Sequence, residues 1–162
     1  MIQCFHFAML DPTEALSPFQ LRLASMDDFS FAEALMRNNM NGYYRRHNLV
    51  WRSDLFLGSW RESENFVLEC DGQAIGVMCV TEEDQSLHIH DVQVVEGWRR
   101  TGAGTFLLDT AHRWARARGL TETQLRVFVD NPAARLYIRT GYKTAGSRLA
   151  QFGAIRHMVR GV

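Results

Sequence analysis

"GWRRTGAG", residues Gly97 to Gly104, places two arginines, a threonine and three glycines in eight positions. The alternating apolar stretch "VQVV", Val92 to Val95, precedes it. After it, Phe106, Leu107, Ala111, Trp114 and Ala115 fall on one stripe at helical spacing, and Gly119 supplies a stop. The reading is therefore strand, basic turn, helix. A helix that begins directly after a strand presents unpaired backbone N–H groups and the positive end of its dipole. Gly102 and Gly104 let a bulky anion approach the backbone, Arg99 and Arg100 add charge, and Thr101 and Thr105 add hydroxyl donors. This chemistry suits a phosphate or pyrophosphate. A P-loop is excluded because no Lys-Ser/Thr follows Gly104, and a dinucleotide fingerprint because Leu107 stands where its third glycine belongs. The plain alternative is a tight strand-to-helix connection with its arginines in solvent.

Outward from this turn the remaining pattern is clear. "FQLRLAS" alternates as a first strand, and Ser25 offers an N-cap, with Asp27 and Asp28 in the first turn, for a helix "DDFSFAEALMRNNM". "NGYYRRHNLVWRSDLFLGSW" predicts a second, less regular helical segment. "NFVLECDGQAIGVMCVTEE" reads as a hairpin across Asp71-Gly72. In "SLHIHDVQVV" the apolar positions Leu87, Ile89, Val92 and Val94 shift phase around Asp91, as one extra residue, a β-bulge, would cause. "ETQLRVFV", a short helix in "NPAARLYIRTG", and the strands "YKTAGSRLA" and "AIRHMVRG" complete the order β-α-α-β-β-β-α-β-α-β-β. That order predicts a mixed sheet with helices on both faces.

With 162 residues, 46% of them hydrophobic, the chain has room for one domain with a sizeable core. Eighteen basic residues balance eighteen acidic ones, which argues against a nucleic-acid partner, since such binding needs a basic face. The three cysteines, Cys4, Cys70 and Cys79, form no CxxC pair, so reduced thiols in a cytoplasmic protein are expected. "MIQCFHFAML" lacks a basic segment and makes a poor signal peptide, and no apolar run reaches the ~20 residues of a membrane span.

"VQVVEGWRRTGAGTFLL" resembles the acetyl-CoA-binding motif of the GNAT superfamily of N-acetyltransferases: an apolar strand, Arg/Gln-x-x-Gly-x-Gly/Ala, then a helix. Arg99, Gly102 and Gly104 stand at the motif positions. "LRVFVDNPAARLYIRTGY" resembles the family's downstream strand, Asn-containing turn and Leu-Tyr helix. The resemblance implies an α/β (α+β) fold with a mixed, mostly antiparallel sheet of about seven strands. Helices would cover both faces, and the sheet would splay between its fourth and fifth strands. It implies an N-acetyltransferase domain over residues 19–162 with an N-terminal extension over 1–18. Its activity would be acetyl transfer from acetyl-CoA to a primary amine by direct attack, with no metal and no membrane partner. Homodimers are common in the family. A non-catalytic acetyl-CoA-binding sensor or scaffold is the alternative within the same fold.

Carried over residue by residue, the resemblance assigns backbone amides of Arg100, Thr101, Gly102, Ala103, Gly104 and Thr105 to the CoA pyrophosphate. Val92 and Val94 would pair with the pantetheine arm. Tyr137 would donate a proton to the departing thiolate. Asn131 stands one residue closer to Tyr137 than the family commonly has, so Asp130 competes with it as the CoA contact. The attacking amine must lose a proton. His88 and His90, two apart on one strand, resemble the paired strand histidines of the serotonin N-acetyltransferases, and His90 is the favoured base, with His88 second. His-x-His is also a metal-ligand spacing, and Asp91, Glu82 and Glu83 are alternative bases through water. Tyr43, Tyr44, His47 and Trp51 fall where the family's variable acceptor wall lies, with Arg45, Arg46 and Arg52 beside them for an acidic group. The acceptor is left open between a small-molecule amine and a protein amino group.

Overall fold

The computed structural model of the protein describes residues 17–150 and 153–162; the expected extension, apart from its last two residues, and Cys4 lie outside them. Strand β1 (Phe19–Leu23) leads to Ser25, whose Oγ accepts the Asp27 N–H while Asp28 accepts the Ser25 N–H at 2.8 Å. This capping box closes a 3-10 turn, Met26–Asp28, and launches α1 (Phe29–Arg46). Helix α2 (Ser53–Glu62) precedes three antiparallel strands, β2 (Glu64–Cys70), β3 (Gln73–Glu83) and β4 (Ser86–Val94). Asp71 and Gly72, at φ +49° and +76°, join β2 to β3, since a two-residue turn between twisted strands needs positive φ at both positions. Helix α3 (Ala103–Ala117) carries the chain back to β5 (Glu122–Phe128). Helix α4 (Ala134–Arg139), β6 (Lys143–Ala150) and β7 (Gly153–Gly161) follow.

The seven strands form one sheet in the order β1-β2-β3-β4-β5-β7-β6, and only β4 and β5 pair in parallel. One face is covered by α1 and α2 through Ala32, Leu35, Met36, Phe56 and Trp60, packed on Val77 and Cys79. The other packs on α3 and α4 through Leu107, Leu108, Ala111, Ala115 and Tyr137 against Met78, Leu87, Ile89, Leu125 and Met158. Both layers exclude water from the sheet, which holds the strands rigid on either side of the place where they part.

That place is between β4 and β5. Their ladder runs from Ser86↔Glu122 to Ile89↔Leu125 and stops, although β4 continues to Val94 and β5 to Phe128. The cause lies on the other edge of β4. Asp91 sits opposite Cys79 and Ile89 opposite Val80, leaving His90 as the extra residue of a bulge. A bulge bends its strand, so β4 turns away from β5 just past Ile89. The phase shift in the sequence thus marks the opening of the sheet.

One segment departs from the expectation. Helix α1 continues through Asn41–Arg46 rather than giving way to a second irregular helix, 47–52 is non-helical, and α2 starts only at Ser53. The reason is a continued stripe: Met36, Met40, Tyr43 and His47 keep helical spacing along the sheet, and Tyr43 and His47 both stack on Phe128 of β5. Asn48, at φ +54°, ends the run, and the Leu49 N–H returns to the Tyr44 carbonyl at 2.8 Å. Among the described residues no helix is long and apolar enough to cross a membrane.

Candidate active site

The basic turn is held by its own side chains. A 3-10 turn, Glu96–Trp98, follows β4, and the Thr101 hydroxyl donates to the Trp98 carbonyl at 2.6 Å. The Arg99 guanidinium donates to Asn39 Oδ1 at 2.8 Å, and Asn39 Nδ2 donates to Gln93 Oε1 at 2.9 Å and the Val94 carbonyl at 3.2 Å. All four polar side chains are exposed, but Arg99 and Thr101 are tied to the turn they shape, whereas no hydrogen bond holds Arg100 or Thr105 among the described residues. Gly102 has φ +92°, a conformation that costs an L side chain about 1–2 kcal/mol. It sits at the N-cap of α3, and no side chain caps that helix. Phe106 N–H bonds Gly102 C=O at 2.9 Å, so the amides of Ala103, Gly104 and Thr105 stand at the open helix end. Gly104 has a packing reason as well: a Cβ there would meet Leu136 Cδ2 at 2.7 Å, so its absence lets α3 approach α4.

The splay forms a cleft of about 130 Å³, lined by Ile89, His90, Asp91 and Val92 on one side and Leu125 to Phe128 on the other. Gln93 of β4, Met40 of α1, Asn131, Tyr137 and Ile155 complete it. Of the expected site residues, it brings together His90, Val92, Asn131 and Tyr137. Asn131 spends its Oδ1 on the Ala133 N–H at 2.9 Å, a turn that starts the α4 segment and leaves its amide to donate. Tyr137 is 9% exposed, and burial holds its phenol well above the ordinary tyrosine range, with Tyr142 and Asp91 adding to the shift. Its hydroxyl has no hydrogen-bond partner among the described residues.

Asp91, also in the cleft, likewise has no hydrogen-bond or ion-pair partner among the described residues. Burial alone pushes its carboxyl up to about 7, because desolvation penalises the charge and no cation answers it. His90, at the bulge, is exposed and shares a 2.7 Å hydrogen bond between its Nε2 and Thr81 Oγ1. Desolvation lowers its pKa, and His88 and Arg126 lower it further, so the ring is neutral at pH 7. His88 lies outside the cleft lining, opposite Thr81 and Gln124, with its ring 6.5 Å from that of His90. Among the described residues no cluster of three or more His, Cys, Asp or Glu side chains is assembled.

The expected acceptor residues divide between two places. Tyr43 and His47 reach the cleft rim by stacking on Phe128, with ring separations of 5.9 and 4.7 Å. Tyr44 and Trp51 line a separate cavity of about 380 Å³ with Arg37, Asn41, Arg45 and Leu49. The Trp51 indole N–H is already given to Glu33 at 3.0 Å and Ser53 at 3.2 Å. Two of the three arginines beside them are spent: Arg46 donates to Asp130 at 2.9 Å, and Arg52 to Asp54 at 2.6 Å. His47 contacts Asp130 as well, at 3.1 Å. Met40, Phe128 and Ile155 were not anticipated from the sequence; only the tertiary approach of α1, β5 and β7 puts them together.

A family model described as the acetyltransferase (GNAT) family matches residues 30–142. Ard1 from Thermoplasma volcanium is similar in structure at a TM-score of 0.74 and 20% identity, with 90% of this chain and 99% of that one covered. The ribosomal-protein-S18-alanine N-acetyltransferase from Escherichia coli follows the same path at 0.70 and 20%, covering 89% and 94%. A PaiA N-acetyltransferase from Thermoplasma acidophilum in complex with coenzyme A gives 0.68 and 14%, covering 89% and 99%. At such identities these likenesses speak for the fold. The match over residues 30–142, two-thirds of the chain and inclusive of turn, splay and α4, shows that this chain belongs to the GNAT family of acetyltransferases.

Proposed function

We propose that the protein moves an acetyl group from acetyl-CoA to a primary amine by direct attack in the β4/β5 cleft. The observation that carries this reading is the pairing of two unpartnered groups of opposite role, Tyr137 and Asp91, in that one cleft. The chain's residues fit the donor. The uncapped end of α3 behind an αL glycine offers amides to a pyrophosphate, and the β4 backbone past Ile89, freed from β5, offers an edge to an extended arm. When bound, acetyl-CoA supplies the thioester.

The amine nitrogen bonds to the thioester carbonyl carbon, and the C–S bond breaks as the electron pair leaves on sulfur. Tyr137, kept protonated by burial, gives its proton to that sulfur. Asp91, ionised over the upper half of its titration near pH 7, takes the proton the nitrogen loses. His90, favoured as the base from the sequence, stands at the cleft mouth, bonded to Thr81, where it relays the proton to solvent. Thiol release from acetyl-CoA, followed against a library of amines, tests this. Release that depends on an amine is expected; tight CoA binding with no release under any amine would support a sensor or scaffold instead.

A further inference from the structure

The cleft contains one charge that acetyl transfer itself does not require. Arg126 follows the last residue of β5 that pairs with β4, lines the cleft, and has no carboxylate partner among the described residues. Other arginines differ in this respect: Arg46 is held by Asp130, Arg52 by Asp54 and Arg160 by Asp109. Register fixes its direction. Gln124 pairs with His88, and Phe128 stacks on α1, so the alternating residue Arg126 shares their face, opposite His157. Across the opening, on β4, stands Asp91, the group that would take the amine proton. Around both are Met40, Phe128 and Ile155, which offer apolar and aromatic surface.

Arg126 is exposed, so its guanidinium stands at the mouth of the cleft, where it repels a polycation and attracts an anion, and its planar fork fits a carboxylate with two parallel hydrogen bonds. Resting on the acetyl-transfer reading above, we propose that the acceptor is a primary amine carrying a carboxylate and an apolar body, an amino acid in chemical class, with its carboxylate held by Arg126. The amine then lies toward Asp91 and the side chain against Phe128. The cation also favours the neutral, attacking form of the amine beside it, as it already favours neutral His90.

The test compares matched acceptors with the full chain and saturating acetyl-CoA. Phenylalanine, leucine and tryptophan are each set against the amine that lacks the carboxylate, phenethylamine, isoamylamine and tryptamine, with spermidine as the polycation. Wild type should prefer the carboxylate member of any pair it turns over by about 10- to 100-fold in kcat/KM, most of it in KM. Arg126→Gln should erase that preference, and Arg126→Lys should restore part of it. Equal or better use of the bare amines or spermidine by wild type would overturn the proposal, as would a loss in Arg126→Gln of the same size for both members. No thiol release with any amine would overturn the transfer reading instead. Calorimetric binding of N-acetylphenylalanine then decides the anion site: binding lost in Arg126→Gln supports it, and no binding to wild type overturns it.

Discussion

The turn at Glu96–Thr105 and the wall formed by α1 and β5 bind, on this account, the two halves of one reaction, yet they are built in opposite ways. In the turn, two of the polar side chains are tied back onto the chain. Thr101 bonds Trp98, Arg99 bonds Asn39, and Asn39 bonds Val94, which fixes the backbone amides that stand beside the exposed Arg100 and Thr105. On the wall the backbone is used up by α1 and by the β5–β7 ladder, and the available groups are side chains: Tyr43, His47, Phe128 and Arg126. Backbone recognition depends on a few conformations and tolerates most side chains. Side-chain recognition depends on identity and changes whenever the identities change. A donor common to a family suits the first, and an acceptor particular to one protein suits the second.

Substitutions at the cleft both regions share should have the largest effect. Tyr137→Phe removes only the hydroxyl and should lower kcat by about 100- to 1,000-fold while leaving acetyl-CoA affinity within a few-fold. Equal losses in kcat and in CoA affinity, read by single-turnover kinetics and calorimetry, would mark Tyr137 as a packing residue. On the donor side, Gly102→Ala forces an alanine to φ +92° and should weaken acetyl-CoA about tenfold by calorimetry, at a stability cost of about 1–2 kcal/mol. Unchanged affinity would show that the turn amides do not hold the pyrophosphate.

Gly104→Ala sharpens the same side, because its Cβ would press on the end of the Leu136 side chain. A leucine methyl can move, so a loss of about 1 kcal/mol in unfolding free energy is expected, with a smaller effect on CoA than at Gly102. The smallest effect belongs to the other cavity. Trp51→Ala should change kcat/KM for any acceptor by less than about threefold, although losing its contact with Phe56, at 5.4 Å between rings, lowers the unfolding temperature. A large rise in acceptor KM in that variant would move the acceptor from the cleft to the cavity lined by Tyr44 and Trp51.

How far the sequence carried the account follows the same division. The order of strands and helices, the Asp71-Gly72 turn and the sheet opening were legible, because alternation, glycine and the phase slip at Asp91 are local signals. The open end of α3 was legible for the same reason, whereas the left-handed conformation of Gly102 was not, because close approach to an anion accounts for a glycine there equally well. The acceptor side was not. Tyr44 and Trp51 sit beside Tyr43 and His47 in a run of similar composition, and only the continuation of α1 separates them onto different surfaces. Sequence position favours Arg45, Arg46 and Arg52 as spare cations, but ion pairs occupy Arg46 and Arg52, and among the described residues the cleft's cation without a carboxylate partner lies on β5. Asp91 read as one of several possible bases, since burial, which sets its pKa, has no signature in a single residue letter.

The pH dependence of kcat in wild type and Asp91→Asn decides whether Asp91 takes the proton of the amine. Asp91 must be ionised to accept a proton, so the wild-type rate should rise with pH through about 7, the value to which burial pushes its carboxyl. A neutral His90 acting as the base would place the rise below 6.5 instead. The same raised pKa makes the native state hold its proton more tightly than the unfolded chain, so stability falls as pH climbs from the ordinary 3.8 through about 7. Asp91→Asn should therefore lose the rise near 7, turn over about 100-fold more slowly, and be more stable than wild type at pH 8 by about 1–3 kcal/mol. A variant that keeps the wild-type rate and the same ascending limb would contradict the account.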